Sequence, residues 1–213
     1  MSCCQCQGIE ELFSEDYVAK ELKRYRRRGP DKTTNMLIEA LKEENIEGLT
    51  LLDIGGGLGA IQHEMLRAGV QSATDIEAST AYLNATKEET ARRGFADRVN
   101  YQHGNFVDLA ENVSPADIVT LDRVICCYPD MQKLVDLSAA KAGKYYGLVF
   151  PREDWWMKVY HILQGLFLRL TRSRFRTFLH PTRAIEELIN NNGFKRIFYR
   201  QTFVWQVIVY SRF

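Results

Sequence analysis

The chain has 213 residues, enough for one domain with a substantial core and too few for two ordinary domains joined by a linker. Its 28 Lys and Arg residues nearly balance its 27 Asp and Glu residues, which excludes a strong positive field that would gather nucleic acid. Charge interrupts each apolar stretch within about ten residues, short of the roughly 20 that span a bilayer, so we expect no integral membrane segment and no nucleic-acid partner.

The first eight residues contain three of the five cysteines, Cys3, Cys4 and Cys6, and the other two are Cys126 and Cys127. An odd number of cysteines without a preceding apolar signal-peptide core predicts a reducing, cytoplasmic location. Thiolates in these two clusters could bind zinc, but Cys-Cys-x-Cys is not the Cys-x-x-Cys spacing of common zinc sites. We therefore predict no metal site.

Residues 1–44 are predicted to form a helical cap segment in front of the first strand. Apolar residues recur at close to helical spacing over residues 9–28, which indicates one amphipathic helix that stops at a Gly-Pro pair. A second helix, capped by Asp31 or Thr33, completes the segment. The basic side chains near the end of the first helix, typical of a solvated helix face, are Arg24, Arg26, Arg27 and Arg28.

Residues 45–213 are predicted to form the cofactor-binding domain. Short apolar runs alternate with stretches of helical periodicity, such as residues 79–93 and 131–141, which indicates βαβ units and a parallel sheet. Two further runs, at residues 194–200 and 203–213, follow the last helix with almost nothing between them and can pair only antiparallel. The sequence thus predicts an α/β fold whose mostly parallel sheet ends in an antiparallel strand pair.

A glycine-rich turn joins the first predicted strand to a helix at residues 60–67. Glycines let the backbone turn sharply and approach a ligand closely, so the turn indicates a nucleotide-type cofactor site. Without a ligand, the same residues would form only a tight strand-to-helix connection. The sequence of the turn is Asp53-Ile54-Gly55-Gly56-Gly57-Leu58-Gly59.

The next predicted strand carries two acids near its end, Asp75 and Glu77. A carboxylate about 20 residues beyond the loop can accept two hydrogen bonds from a ribose diol. We choose Glu77 for this role, because a helix begins near Ser79 and an acid just outside the strand faces the crevice. Asp75 is interpreted as a helix N-terminal charge, which is also the alternative role for Glu77.

The turn at residues 53–59 resembles the first motif of the class I S-adenosylmethionine (SAM) dependent methyltransferases, and the resemblance extends over residues 45–213. It implies a methyltransferase enzyme with SAM as cofactor and S-adenosylhomocysteine as product. It also implies a Rossmann-like fold, with a mostly parallel seven-stranded sheet and helices on both faces. In the family, the loop backbone lies against the methionine part of the cofactor, and the acid that corresponds to Glu77, beside Ala78, binds the ribose.

Two later segments match further positions of the family. Residues 103–106 resemble its third motif, which implies that Asn105 accepts a hydrogen bond from the adenine amino group in place of the customary acid. Phe106 would then cover the adenine face. The segment at the end of the fourth strand is similar to the part of the family that closes over the sulfonium, which implies contacts from Leu121 and Asp122.

Catalytic side chains are harder to predict than cofactor contacts. Methyl transfer from a sulfonium is an in-line displacement that depends on alignment and on the exclusion of water, so no general base is required. If a base takes part, the candidates are polar groups near the carboxyl ends of the strands, and a structural role is the alternative for each. These candidates are Asp122, Tyr128, His103 and His180.

Residues 153–180 are predicted to be an acceptor-side insert, rich in aromatic and apolar residues and edged with arginine. Such an insert can cover a pocket for a small apolar acceptor, with Arg172, Arg174 and Arg176 able to meet a carboxylate or phosphate. Alternatively, it is a core helix packed on the sheet. The insert is loosely similar to magnesium-protoporphyrin O-methyltransferases, and a basic amphipathic helix here could also make peripheral membrane contact.

Two other functions remain open on sequence alone. An NAD(P)-dependent oxidoreductase could use the same loop, because residues 55–60 satisfy the Gly-x-Gly-x-x-Gly/Ala pattern. The position of Asp53 and the closing strand pair count against it, and we find no Ser-Tyr-Lys catalytic set. A non-catalytic domain that binds SAM or a nucleotide would be excluded only by turnover.

Overall fold

The computed structural model describes residues 4–170 and 174–213 of the protein, and strands alternate with helices along most of this length. The strands are β1 (Thr50–Ile54), β2 (Ser72–Glu77), β3 (Val99–His103), β4 (Ala116–Asp122), β5 (Ala142–Pro151), β6 (Phe194–Gln201) and β7 (Trp205–Arg212). The helices are α1 (Cys4–Leu12), α2 (Glu15–Arg28), α3 (Lys32–Lys42), α4 (Ala60–Arg67), α5 (Thr80–Arg92), α6 (Phe106–Leu109), α7 (Met131–Lys141), α8 (Trp155–Leu170) and α9 (Thr182–Asn191).

The seven strands form one sheet in the order β3-β2-β1-β4-β5-β7-β6. Strands β1 to β5 pair in parallel with their neighbours in this order. Strand β7 lies antiparallel between β5 and β6, with Ile208 opposite both Leu148 and Tyr199. This arrangement confirms the Rossmann-like α/β fold, including the antiparallel strand pair at its end.

Helices cover both faces of the sheet, because successive residues of each strand point to opposite faces. On one face, α3 and α4 share a core with Leu51 and Ile118. On the other, α6, α7 and α9 share a core with Leu52 and Val119. Strands β1 and β4 are thus buried on both faces, as is typical of central parallel strands, and their carboxyl ends remain available for a ligand.

The N-terminal segment differs from its prediction in two respects. The single helix predicted for residues 9–28 is two helices, because the chain bends at Phe13 and Ser14. The Ser14 hydroxyl caps α2 by accepting a hydrogen bond from the backbone N–H of Tyr17 (3.4 Å). Helix α3 packs on β5 and β7 and is completely buried at Leu37, so the end of the predicted cap segment is part of the main core.

Helix α8, in the predicted insert, packs on the protein through Met157 but leaves most of its large apolar side chains in solvent. Trp155 is 78% exposed and Leu170 is 75% exposed. The interpretation of the insert as a core helix on the sheet is therefore wrong. Within residues 4–170 and 174–213, no helix has the length and apolar character needed to cross a membrane.

Candidate active site

A cavity of about 550 Å³ lies at the carboxyl ends of β1 and β4, where the strand order of the sheet reverses. Parallel sheets bind ligands at this switch point, and the volume is typical of small-molecule sites. The loop after β1, the end of β2 and the segments after β3 and β4 line one part of the cavity. Helices α1 and α2, with Gln164 of α8, Phe175 and Thr177, contribute further walls.

Gly56 provides the closest approach of the loop backbone to neighbouring side chains. A Cβ atom at this position would lie 2.3 Å from Gln62 Nε2 and 2.5 Å from Asp75 Oδ1. Gly59, with a φ of +72°, precedes α4, and a Cβ there would lie 2.6 Å from Thr86 Oγ1. Gly59 does not line the cavity, so it serves helix packing rather than the predicted cofactor contact. The loop glycines that line the cavity are Gly55, Gly56 and Gly57.

Two buried carboxyl groups support the loop from β1 and β2. Asp53 Oδ1 accepts a hydrogen bond from Thr120 Oγ1 (2.7 Å), and Asp53 Oδ2 accepts one from Gln62 Nε2 (3.2 Å). Burial raises the pKa of Asp53 to about 7 and raises the pKa of Asp75 well above its usual range. Asp75 is completely buried beside Gly56 and is therefore not the helix N-terminal charge that the sequence suggested.

Glu77 lies at the end of β2 and, with Ala78, lines the cavity. Its Oε2 accepts a hydrogen bond from Gly57 N (3.0 Å), and its Oε1 accepts one from Ser79 N (2.8 Å). Burial raises the pKa of Glu77, and the backbone hydrogen bonds partly offset this effect. The two bonds orient the carboxyl group and leave further lone pairs of both oxygens for a ligand.

The residues predicted to face the adenine are divided between the cavity and the core. Asn105 lines the cavity, but its Oδ1 already accepts a hydrogen bond from Val107 N (3.3 Å) as the cap of α6. Its Nδ2 donates to the Tyr128 hydroxyl (3.3 Å). Phe106 also lines the cavity, although it is largely buried. Leu121 is completely buried and does not line the cavity, so it packs in the core instead of making the predicted cofactor contact.

Asp122, a predicted catalytic candidate, lines the cavity at the end of β4 within a hydrogen-bonded network. Its carboxylate accepts hydrogen bonds from Arg123 Nε (3.0 Å) and from the Thr34 hydroxyl. Arg123 also donates to Asp31 Oδ2 (3.0 Å), and its φ of +63° lies in a region that non-glycine residues rarely adopt. The network ties the turn between α2 and α3 to the sheet, which favours a positioning role for Asp122 over proton transfer.

The remaining catalytic candidates do not all reach the cavity. Tyr128 lines it. His180 does not, and its Nε2 lies 2.9 Å from the backbone oxygen of Tyr128, so it supports the loop that carries this tyrosine. His103 is half-exposed and lies outside the cavity, with its Nε2 3.5 Å from Glu10 Oε1. The structure therefore brings only Tyr128 and Asp122 of the four candidates into the cavity wall.

Cys126 and Cys127 also line the cavity, with their Sγ atoms 3.9 Å apart. Their mutual hydrogen bond lowers the pKa of Cys127 and raises that of Cys126. Within the described part of the chain, no three His, Cys, Asp or Glu side chains form a group that could hold a metal ion. Cys3 and the side chains of Cys4 and Cys6 lie outside that part, so the prediction of no metal site stays a prediction.

An aromatic wall of the cavity comes from residues that belong to no motif. Phe13, at the bend after α1, contacts Tyr82 of α5 and Phe175, with ring centroids 5.1 Å and 6.2 Å apart. Tyr17 of α2 packs beside Phe13, with centroids 5.7 Å apart. The apolar spacing over residues 9–28 predicted that Phe13 and Tyr17 would be packed against the protein. It did not indicate that they would line a cavity shared with the glycine loop.

The basic run at the end of α2 is also more than a solvated helix face. Arg24 lines the cavity and forms an ion pair with Asp31. Arg26 forms an ion pair with Glu89 (2.8 Å), whose side chain is completely buried. These contacts hold α2 against α5 and the turn before α3, so the sequence-based interpretation of Arg24 and Arg26 is wrong.

Comparisons with known proteins relate this site to one family. A family model described as a methyltransferase domain matches residues 52–139, which contain the glycine loop, Glu77 and β4. The magnesium protoporphyrin IX methyltransferase of Synechocystis, solved with bound S-adenosylhomocysteine, has the same fold at a TM-score of 0.73 and 17% identity, with 96% of this chain and 98% of that chain covered. The matched domain and the shared fold support a SAM-dependent methyltransferase.

Further relatives of this methyltransferase have diverged in sequence. An O-methyltransferase family 2 protein from Planctomyces limnophilus was solved in complex with apigenin and has a TM-score of 0.67 at 16% identity. The superposition covers 93% of this chain and 62% of that chain. The ribosomal protein L11 methyltransferase of Shouchella clausii is 28% identical over 80 residues, which are 38% of this chain. The match spans only a quarter of the length of that curated relative.

The cavity of this methyltransferase is suited to SAM. A Cβ at Gly56 would collide with the buried side chains of Gln62 and Asp75, so the position requires glycine, and Gly56 and Glu77 both line the cavity. These are the features expected where a backbone lies against a ligand and a carboxyl group receives a diol. Residues 55–57, with Glu77 and Ala78, are therefore the residues that could hold the cofactor.

Proposed function

We propose that this methyltransferase transfers a methyl group from SAM to a small, apolar or aromatic acceptor bound in the same cavity. The observation that carries the proposal is that the glycine loop and Glu77 share the cavity with the aromatic wall of Phe13, Tyr17 and Phe175. The cavity volume of about 550 Å³ lies within the range typical of small-molecule sites, which favours a small acceptor bound beside the cofactor.

On the cofactor side, we assign the ribose to the carboxyl group of Glu77 and the methionine part to the backbone of residues 55–57. Asp53 and Asp75 support the loop through Gln62 and through contact with Gly56. Asn105 and Phe106 are assigned to the adenine. The hydrogen bond from Val107 to Asn105 leaves a second lone pair on the amide oxygen, which is enough to accept one bond from an amino group.

On the acceptor side, the charges of the cavity favour a neutral molecule. Arg24 and Arg123 both line the cavity, but Asp31 pairs with both of them and Asp122 pairs with Arg123. An acceptor carboxylate would have to displace these partners. Arg174, predicted to meet such a group, pairs with Glu11 (3.4 Å). Arg172, predicted to do the same, lies outside the described residues.

The bound cofactor supplies an electrophilic methyl group, and the residues of this chain align the acceptor and exclude water. We assign the contact with the acceptor to the Tyr128 hydroxyl, which the Asn105 side chain orients. Asp122 acts as a positioning residue, because its carboxylate is already bound to Arg123 and Thr34. His180 supports the backbone of Tyr128 from outside the cavity.

The names of the structural relatives support a flat acceptor. One acts on a magnesium porphyrin and another was solved with apigenin, and both are flat ring systems. The comparisons do not favour an oxidoreductase, because the matching family is a methyltransferase family. A non-catalytic SAM-binding domain would have the same loop, and a measurement of methyl transfer distinguishes it from the proposed enzyme.

The test is the transfer of radiolabelled methyl groups from SAM into a cell lysate treated with the purified protein. We expect the label in the small-molecule fraction that organic solvent extracts, and then in one or more neutral flat compounds of a panel of porphyrins, quinones and flavonoids. Label in the protein or nucleic-acid fraction would contradict a small acceptor. SAM binding without any transfer would favour the non-catalytic domain.

Substitution of Tyr128 by Phe tests its assigned contact. Loss of one hydrogen bond to the acceptor lowers kcat/KM about tenfold. Tyr199, exposed on β6, offers the matched control, because Tyr199→Phe removes a hydroxyl that is bonded only to Gln201 among the described residues. Equal rates for the two variants would remove Tyr128 from the acceptor site.

A further inference from the structure

The outward face of α8 is an apolar stripe that no described residue covers. Its large apolar side chains recur at spacings of four, seven, eight, eleven and fifteen residues, which places them on one side of a helix. Ile162, near the middle of the stripe, is 70% exposed. The residues of the stripe are Trp155, Val159, Ile162, Leu163, Leu166 and Leu170.

The inward side of α8 carries polar groups beside the buried Met157. Gln164 lines the cavity, and the Thr177 hydroxyl donates to its Oε1 (3.0 Å). His161 Nδ1 lies 3.3 Å from the same hydroxyl. These contacts fix the rotation of α8 about its axis, so the apolar stripe on the opposite side faces outward.

Phe203 extends the stripe onto the turn between β6 and β7. It is 74% exposed, and its ring stacks on Trp156 of α8 with centroids 4.2 Å apart. Helix and turn together present seven large apolar side chains, among them a tryptophan and a phenylalanine. Aromatic rings of this kind are favoured at the boundary between lipid headgroups and acyl chains.

The charge around the stripe identifies what it fits. Residues 155–185 contain six Lys and Arg residues and no Asp or Glu, in a chain that is otherwise slightly acidic. Three of these cations form ion pairs with acids outside the segment, which are Glu11, Glu153 and Glu187. Four acids adjoin the segment, at positions 153, 154, 186 and 187, so residues 153–187 together carry a formal charge of +2. This positive charge complements an anionic surface.

A second copy of the chain is the main competing occupant. A two-fold dimer through α8 would place the same acid-free segment of both copies side by side, with like charges opposed. A lipid surface requires no such opposition, and an amphipathic helix in the interface buries only its apolar face, to a depth of about 5–10 Å.

We propose that α8 and the Phe203 turn dock this protein on an anionic lipid bilayer, with α8 lying in the plane of the interface. Gln164 on the opposite side of the same helix lines the cavity, so docking places the cavity wall beside the lipid. This inference is independent of the methyl acceptor. It accounts for a face of α8 that neither the cofactor site nor the core uses.

The experiment measures co-sedimentation of the full chain with phosphatidylcholine vesicles that contain or lack phosphatidylglycerol. We expect binding to the anionic vesicles, weak binding to the neutral ones, and a loss of binding as salt is added. Ile162→Ser and Phe203→Ser each weaken binding to anionic vesicles about tenfold, because each removes one buried apolar side chain from the interface.

Phe213 provides the matched control, because it is 86% exposed and follows the opposite end of the same strand pair, where its N–H bonds Gly193 O. Strands of eight residues separate the two phenylalanines by about 26 Å. Phe213→Ser leaves binding unchanged if the proposal is correct. The proposal is overturned if the unmodified protein does not bind anionic vesicles, or if Phe213→Ser weakens binding as much as Phe203→Ser does. It is also overturned if analytical ultracentrifugation shows a dimer that Ile162→Ser dissociates.

Discussion

The two sides of the cavity are built in different ways. The proposed cofactor side consists of backbone and side chains from residues 53–57 and 77–78, which adjoin neighbouring strands of the sheet. The proposed acceptor side consists of long side chains from α1, α2 and the segment after α8, which are distant from each other in sequence. The sheet fixes the positions of the residues on the cofactor side, whereas only side-chain packing fixes those on the acceptor side. We therefore expect substitutions on the cofactor side to have the larger effects.

The largest effect expected on the cofactor side is that of Gly56→Ala. The new Cβ would lie 2.3 Å from Gln62 Nε2, so the loop must shift from the position that faces the ligand. We expect SAM affinity to fall by at least about a hundredfold, or roughly 3 kcal/mol, in a calorimetric titration.

Gly165 of α8, which does not line the cavity, supplies the control, since a Cβ there meets no atom within 4 Å. Gly165→Ala stabilises α8 by about 0.5–1 kcal/mol through helix propensity and leaves SAM affinity unchanged. Comparable losses of affinity in both variants would show that the close packing at Gly56 is not what shapes the cofactor side.

Asp53→Asn tests the buried acids of the cofactor side through pH. The folded-state pKa of Asp53 is raised to about 7 from an ordinary value of 3.8, so the folded state holds a proton that the unfolded state has released. Its contribution to stability is complete below the ordinary pKa and is lost as pH rises from about 4 to 7.

The neutral amide that replaces the Asp53 carboxyl group does not titrate, so the variant gains free energy of unfolding relative to the unmodified protein as pH rises from 5 to 8. The full shift corresponds to an upper limit of about 4 kcal/mol. Urea unfolding at the two pH values measures the change. A difference between the proteins that is the same at both pH values would mean that Asp53 is ionised in the folded state at pH 5.

The smallest effect is expected on the outer face of α8. Leu163 is exposed there, so Leu163→Ala changes the free energy of unfolding by no more than about 0.5 kcal/mol. Leu134 of α7 is buried in the core, and Leu134→Ala costs about 2–5 kcal/mol. Urea unfolding compares the two leucines, and a large loss at Leu163 would show that another part of the chain covers α8 in solution.

The same difference between the two sides explains what the sequence could predict. The mostly parallel sheet, the closing strand pair and the loop glycines follow from periodicity and from the motif, because each depends on short segments of sequence. Asp75 could also have been recognised, since residues two apart on a strand share a face and Asp75 therefore lies on the same side of β2 as Glu77.

The acceptor side was less accessible to prediction. Phe13, Arg24 and Arg123 acquire their places only when α2 packs on α5 and the turn before α3 meets β4. No local pattern encodes those long-range contacts. The bend at Ser14 was missed for a related reason, because an apolar stripe continues across it and gives the spacing of one helix.

The most direct test of the account is a calorimetric titration of the protein and of Glu77→Ala with SAM, S-adenosylhomocysteine and NADH. We predict saturable binding of the two adenosyl ligands, no binding of NADH, and a loss of at least about tenfold in affinity when the Glu77 carboxyl group is removed. Glu111→Ala, at an exposed acid outside the cavity, should bind as the unmodified protein does. Binding of NADH in place of SAM, or equal affinities for Glu77→Ala and Glu111→Ala, would contradict the assignment of this cavity to the methyl donor.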